Sequence, residues 1–266
     1  MTAALFPRAP LLDGAAVQAR TVGALIMREL HTRFGRDNIG YLWLFLEPGL
    51  LATGVAVIHV WTGLRLPFGM QVVPFYVTGY TSYLLFRSIA NRAGTTIEAN
   101  GALLYHRPVT IFDLLLARVL LEAAATMVAA LLLIAGAAAL GLAHLPEEPL
   151  VFLVGWLLNV WFCFGVSMLA LAGCVVFHSL DRFIHPGTYL LMPISGAFLI
   201  FEQAPPAFRY VLTWVPMAHI SQIIREGEFG FESRYTDPVY VLVWCAGLTF
   251  FGLLAIRAVR PKVELQ

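Results

Sequence analysis

The sequence predicts an all-helical integral membrane protein with a single membrane domain. Of its 266 residues, 59% are hydrophobic and only 12% are charged, whereas a soluble domain carries about 25% charged residues. The mean hydropathy is +0.78. Long windows without Asp, Glu, Lys or Arg are found at 66–86, 123–146, 149–180, 183–201 and 238–256. These observations argue against a soluble enzyme or a disordered chain, and a net charge of +1 gives no basic field for nucleic acid.

The apolar windows divide the chain into candidate spans, since a transmembrane helix needs about 20 mostly apolar residues. Six spans are predicted, at about 41–63, 72–91, 113–142, 150–177, 186–202 and 238–257. The runs are too long for strands and lack the alternation of an outer-membrane barrel. We therefore expect six transmembrane helices.

The basic residues predict the orientation, because cytoplasmic loops carry an excess of Lys and Arg. With the N-terminus inside, 13 of the 17 basic residues lie on that side, and Arg65, Arg209, Arg225 and Arg234 lie on the other. Both termini are therefore expected in the cytoplasm, which agrees with an even number of spans. Residues 1–20 lack an apolar core with a small-residue cleavage site, so no cleavable signal peptide is expected.

Residues 17–36 precede the first span and carry an apolar stripe at helical spacing, with basic residues off the stripe. The stripe consists of Val22, Leu25, Ile26, Leu30 and Phe34. This pattern predicts an amphipathic helix in the cytoplasmic interface. It is either a simple anchor or part of a substrate entry route.

The first two spans carry unusual polar groups. Glu47 lies inside span 1 before Pro48, and a membrane-embedded carboxylate is costly enough to indicate function. The alternative is that Glu47 pairs with a neighbouring Arg or caps exposed backbone. In span 2, Tyr76, Tyr80 and Tyr83 share one helix face, which suits sliding contact with sugar rings but is also compatible with plain packing.

Two loops are predicted to contain short helices. Residues 95–108 begin with a capping pattern, Thr95 followed by Glu98, and end at a proline. The helix there is either a docking surface for a soluble partner or an ordinary loop helix. Residues 203–236 are too long for a hairpin and too apolar for a solvated loop. They predict a pair of short re-entrant or interfacial helices on the outer side.

The chain lacks the residues of several catalytic classes. Its one lysine, Lys262, is followed by Val263 and preceded by no Gly-rich loop, so it has no Walker-type nucleotide site. Three cysteines inside the spans are expected to be core residues, and the histidines form no metal motif. No catalytic residue, metal or cofactor is therefore expected in this chain. An ion-coupled carrier would bury several charges and show internal repeats, which the sequence does not.

A series of short motifs follows the same order and spacing as those of a known family. They are RELHTRFG at 28–35, GYLW at 40–43, LEP at 46–48, IEAN at 97–100, YHRPV at 105–109, W-x-P at 214–216 and REG at 225–227. With these motifs the chain, over about residues 20–258, resembles the KpsM family of capsular polysaccharide export permeases, in the type 2 ABC exporter class. Family members read W-N-P-L where this chain has Val215 and Met217 around Pro216, so the outer turn differs.

The resemblance implies a function and partners. The subunit would be a homodimer in the bacterial inner membrane, working with two copies of a separate ABC ATPase that carries ATP and Mg. It would export a lipid-linked acidic capsular polysaccharide to a periplasmic adaptor and an outer-membrane export protein. The complex would be a translocase. The same class also exports O-antigen, teichoic acid and other lipid-linked glycans, and the IEAN and YHRPV motifs favour the capsule branch.

The resemblance also implies four groups of site residues. A substrate path or lateral gate between spans 1 and 5 would use Tyr41, Trp43, Glu47, Tyr76, Tyr80, Tyr83, Phe198 and Phe201. Anionic substrate would contact Arg28, Arg33, Arg36, Arg87 and Arg92. The coupling helix at 95–108 would contact the ATPase through Glu98, Asn100, Tyr105, His106 and Arg107. A periplasmic gate would use Trp214, Pro216, His219, Arg225 and Glu226.

Overall fold

The computed structural model describes residues 11–34, 39–63, 66–104 and 109–263. Within these ranges the fold is all-helical, without a strand. The α-helices are α1 (Leu11–Phe34), α2 (Ile39–Thr62), α3 (Val72–Arg92), α4 (Thr96–Leu104), α5 (Ile111–Ala139), α6 (Pro149–Val176), α7 (Leu180–Leu191), α8 (Pro206–Leu212), α9 (Pro216–Phe229) and α10 (Pro238–Val263).

Local sequence signals explain where several helices begin and end. Helix α5 starts with a capping box, in which the Asp113 amide donates to Thr110 Oγ1 at 3.2 Å and the Thr110 amide donates to Asp113 Oδ2 at 3.0 Å. Helices α6 and α9 have proline in their first turn, where the missing N–H costs nothing. Helix α9 ends at Gly230, whose φ of 64° is left-handed.

Three described helices are by themselves long and apolar enough to cross a membrane. They are residues Ile111–Ala139, Pro149–Val176 and Pro238–Lys262, which correspond to the third, fourth and sixth predicted spans. In α2 the sufficiently apolar segment is the shorter Leu46–His59. The structure thus supports a multi-pass helical protein, and the total of six spans stays a prediction.

The fifth predicted span, 186–202, is wrong as a continuous helix. Helix α7 ends at Leu191, a 3-10 turn covers Met192–Ile194, and irregular backbone follows until α8. Pro193 supplies no N–H to continue the helix, and Gly196 has a φ of 77°. The apolar composition of residues 186–202 therefore predicted a continuous span where the helix is in fact interrupted.

The main core lies between α3, α6 and α9. Phe75 and Tyr83 of α3, Trp156 of α6, and Ile220 and Ile224 of α9 are all almost fully buried in it. Helix α9 approaches α6 so closely at Gly227 that a Cβ there would overlap the backbone of Phe152. Small residues therefore set how deeply α9 enters the bundle.

The amphipathic helix α1 packs on the beginning of α5. Val22 and Leu25 of α1 form a separate buried cluster with Leu114 and Ala117 of α5. The apolar stripe predicted from the sequence thus faces α5. This contact places the polar side chains of α1 beside α4 and α5.

Candidate functional site

A charged cluster joins α2 to α3. Arg87 forms an ion pair with Glu47, and the Tyr80 hydroxyl donates to Glu47 Oε1 at 2.6 Å. The side chains of Arg87 and Glu47 are 15% and 26% exposed. Of the two roles considered for Glu47, pairing with a neighbouring arginine is therefore the one present in this conformation.

The same face of α3 also holds α7. The Tyr83 hydroxyl donates to the Thr188 carbonyl, and the Thr188 hydroxyl donates to Asn91 Oδ1 at 3.2 Å. The Arg87 guanidinium lies over the Tyr189 ring, 5.4 Å from its centre. Arg87 therefore connects α2 and α7, the two helices between which the family resemblance predicts a lateral gate.

The three tyrosines on this face of α3 are buried. Tyr76, Tyr80 and Tyr83 are 8%, 3% and 0% exposed, and Phe198 lies against the first two, with ring centres 6.1 and 6.4 Å apart. The predicted stripe of phenols is therefore packed inside the chain in this conformation.

The structure brings only part of the predicted gate together. Glu47, Phe198 and the three tyrosines form one cluster, while Trp43 is 60% exposed. Phe201 lies elsewhere and packs on His219, with ring centres 5.0 Å apart. The side chain of Tyr41 is outside the described residues. Sequence reasoning missed Asn91 and Thr188, whose roles depend on the packing of α7 against α3.

A second polar cluster joins α1, α4 and α5. Arg118 of α5 donates to Thr96 Oγ1 at 2.9 Å and pairs with Glu29 of α1 at 3.3 Å. Arg28 donates to Asn100 Oδ1 at 2.8 Å. Helix α4 is therefore tied on one side to the amphipathic helix and on the other to a membrane span.

This second cluster contains some of the predicted coupling and substrate residues. Asn100 is 7% exposed and faces α1, and Arg92 pairs with Glu122 at 3.4 Å. Sequence reasoning assigned no site role to Arg118, although an arginine inside a predicted span was a visible signal. The remaining predicted positions lie outside the described residues: the side chains of Arg33 and Glu98, and all of Arg36, Tyr105, His106 and Arg107.

Arg225 of α9, predicted to line the periplasmic gate, is fully buried. Its guanidinium donates to the carbonyls of Gly196, Ala197 and Leu199 at 2.5, 2.6 and 3.2 Å. It also stacks on Phe75, with 4.1 Å between the guanidinium carbon and the ring centre. In this conformation Arg225 therefore satisfies the backbone of the broken segment after α7.

Two other predicted gate residues, His219 and Glu226, lie near opposite ends of α9. His219 lies 3.0 Å from the Thr213 carbonyl through Nε2, and its Nδ1 accepts from the Asp237 amide at 3.2 Å. Burial lowers the pKa of this imidazole, so the neutral form is favoured. The Glu226 carboxylate accepts from Thr236 and Ser233, although burial raises the pKa of Glu226.

The two remaining gate positions differ in their surroundings. Trp214 is 63% exposed, and its carbonyl accepts from the Tyr240 hydroxyl at 2.9 Å. Pro216 is the first residue of α9.

No group of three or more His, Cys, Asp or Glu side chains in the described part of the chain could hold a metal ion.

The fold and these clusters define a multi-pass helical membrane protein in which polar side chains connect neighbouring helices. A comparison with protein families identifies the class more narrowly. The profile of the ABC-2 type transporter family matches residues 20–229, and the chain belongs to this family.

Several relatives match almost end to end. The chain is 35% identical over 257 residues to the capsule polysaccharide export inner-membrane protein CtrC of Neisseria meningitidis serogroup B, covering 96% of each chain. It is 33% identical over 254 residues to the capsule polysaccharide export inner-membrane protein BexB of Haemophilus influenzae, covering 94% of this chain and 95% of the relative. It is 28% identical over 254 residues to the polysialic acid transport protein KpsM of Escherichia coli, covering 92% and 95%.

Proposed function

We propose that this chain is the membrane subunit of an ATP-driven exporter that moves a lipid-linked acidic capsular polysaccharide across the bacterial inner membrane. The observation that carries the proposal is the similarity to capsule export proteins over 96% of the chain. The missing Walker lysine fits a subunit that depends on a separate motor. ATP and Mg would then be bound by two copies of an ABC ATPase.

Helix α4 is the proposed coupling helix of this exporter. A push on α4 would reach α1 through Asn100 and Arg28, and α5 through Thr96 and Arg118. Both connections use charged donors, which form the stronger class of hydrogen bonds. Motion of the ATPase would therefore move the amphipathic helix and a membrane span together.

The Glu47–Arg87 cluster is the proposed entry gate for the lipid-linked end of the substrate. Arg87 lies between α2 and α7, and a guanidinium binds phosphate and carboxylate groups well. An anionic headgroup arriving from the side would compete with Glu47 for Arg87 and loosen α2 from α3. Two subunits would complete the channel, and α8 and α9 would face the periplasmic adaptor and outer-membrane export protein.

The proposal is tested by expressing this chain with its cognate ATPase in a capsulated strain whose own permease gene is deleted. We expect polysaccharide to return to the cell surface and to depend on ATP hydrolysis by the partner. The control is the same strain with a Walker-lysine variant of the ATPase. Export of a neutral O-antigen in place of the acidic capsule would contradict the assigned substrate, and export with the inactive ATPase would contradict the class.

A further inference from the structure

A cavity of about 110 Å³ lies between the α3–α4 turn and the α6–α7 connection. Thr95 and Ile97 line it from the beginning of α4, and Cys174, His178 and Asp181 line it from the end of α6 and the beginning of α7. A water molecule occupies about 30 Å³ of liquid. The cavity therefore has room for the end of one long side chain or for a few waters.

The cavity is built by a close contact between the two connections. A Cβ at position 94 would overlap the Asp181 carboxylate, so the glycine found there lets Asp181 approach the α3–α4 turn. No side chain or backbone group in the described part of the chain donates a hydrogen bond to Asp181. The residue lies in the first turn of α7, where the helix dipole favours a negative charge. The cavity thus offers an acceptor without a donor.

Exposed aromatic side chains lie close in sequence to the lining residues His178 and Asp181. Phe177 and Phe183 are 68% and 69% exposed, and His178 and Arg182 beside them are also exposed. These residues follow directly on the membrane-length segment of α6, which ends at Val176. By the predicted orientation they lie on the same cytoplasmic side as α4. Exposed aromatic residues at such a boundary are typical of an interaction surface.

We propose that this cavity receives a Lys or Arg side chain of the ATPase subunit, with Asp181 as its partner and Phe177 and Phe183 as the apolar rim. The proposal rests on the proposed function, because it assumes that an ATPase docks at α4. It adds a second contact, since the cavity is continuous with the beginning of α4. An unpaired carboxylate is complementary to a basic group, and a charge pair covered by a partner is worth more than one in open water.

The first test measures how much ATPase copurifies with tagged permease as the salt concentration rises. We expect Asp181→Asn to weaken retention and Asp181→Arg to weaken it at least about tenfold, because the first removes one partner of a covered charge pair and the second places two like charges together. The matched control is Asp13→Arg, which changes an exposed aspartate in the first turn of another helix. Wild-type retention by Asp181→Arg at every salt concentration would overturn the proposal. Failure of the wild-type permease to retain ATPase would instead contradict the proposed function.

The second test uses His178→Cys, which places a reactive thiol at the exposed side of the cavity. Cys163 and Cys245 are buried and should react slowly with maleimide, and Cys174, which lines the cavity, is replaced by alanine in every variant of this test. We expect purified ATPase to slow labelling at position 178 at least about tenfold and to leave Asp13→Cys unaffected. Unchanged labelling with bound ATPase would overturn the proposal. So would protection that depends on permease concentration alone, which would identify a second copy of this chain as the occupant.

Discussion

Two buried charged residues of α9 have opposite environments. Arg225 is fully buried, but its guanidinium donates to several backbone carbonyls. Glu228 is 3% exposed, and neither carboxylate oxygen has a hydrogen-bond partner among the described residues. A buried polar group without a partner costs more than a satisfied one gains. The first residue therefore stabilises its surroundings, and the second makes their stability dependent on pH.

Arg225→Met is expected to destabilise the fold. It removes the donor to the Gly196, Ala197 and Leu199 carbonyls, and each unpaired buried group costs about 1–3 kcal/mol. Arg225→Lys keeps the charge but offers fewer directed donors, so an intermediate loss is expected. Thermal unfolding in detergent, followed by tryptophan fluorescence, measures both. The control is Arg234→Met, an exposed position, and an unchanged melting temperature for Arg225→Met would contradict the role.

Glu228→Gln is expected to alter the pH dependence of stability. Burial raises the pKa of Glu228 from 4.5 to about 8. Between these values the unfolded state binds fewer protons than the folded state, so stability is full below about pH 4.5 and falls as pH rises towards 8. The variant should therefore match wild type at low pH and be more stable above pH 8 by up to about 5 kcal/mol, since one pKa unit corresponds to about 1.4 kcal/mol. The same pH dependence of the free energy of unfolding for Glu228→Gln and for the exposed control Glu232→Gln would contradict this.

Helix α2 is held differently from the helices of the core. Much of its length is exposed and apolar, with Leu50 at 62% and Trp61 at 91% exposure, so this face is available to lipid or a second subunit. Its polar contact with α3 is made by Glu47, next to Pro48. A helix attached through a partly exposed ion pair can separate from its neighbour at modest cost. This makes α2 the element best suited to open at the proposed gate.

A charge swap at the α2–α3 contact separates its structural and substrate roles. Glu47→Gln and Arg87→Gln should each lower stability by about 1–3 kcal/mol and reduce export, because each leaves a partly buried charge unpaired. The double variant Glu47→Arg with Arg87→Glu restores opposite charges. If Arg87 also binds the anionic substrate, the swap should recover the melting temperature without recovering export. Tyr80→Phe, which removes one hydrogen bond to Glu47, is the milder control.

Recovery of both stability and export by the charge swap would contradict a substrate role for Arg87. Recovery of neither would contradict the ion pair. Surface polysaccharide and melting temperature are both measured, because the assignment depends on whether the charge swap restores the melting temperature without restoring export.

At the scale of the whole molecule, composition predicted the apolar helices better than their connections. The predicted spans 113–142, 150–177 and 238–257 overlap α5, α6 and α10 closely. A helix that crosses a membrane requires about 20 consecutive apolar residues, and such a run is visible in the sequence. The break after α7 was missed because its carbonyls are satisfied by Arg225, almost 30 residues later. The contact of Arg118 with Thr96 and Glu29 was missed for a similar reason, since it depends on how α1, α4 and α5 meet.

The number of crossings can be tested by the side on which each connection lies. The spans α5, α6 and α10 alone would place the two ends of the chain on opposite sides. Both ends share a side when an odd number of further crossings is added, and in the six-span arrangement α2, α3 and the broken segment around α7 supply three. In a variant without native cysteines, single cysteines at Asp13, His178 and Lys262 should therefore react with an impermeant maleimide only after the inner membrane is opened. Cysteines at Phe68, His144 and Glu232 should react once the outer membrane alone is permeable, and labelling of Asp13 and Lys262 from opposite sides would contradict the six-span arrangement.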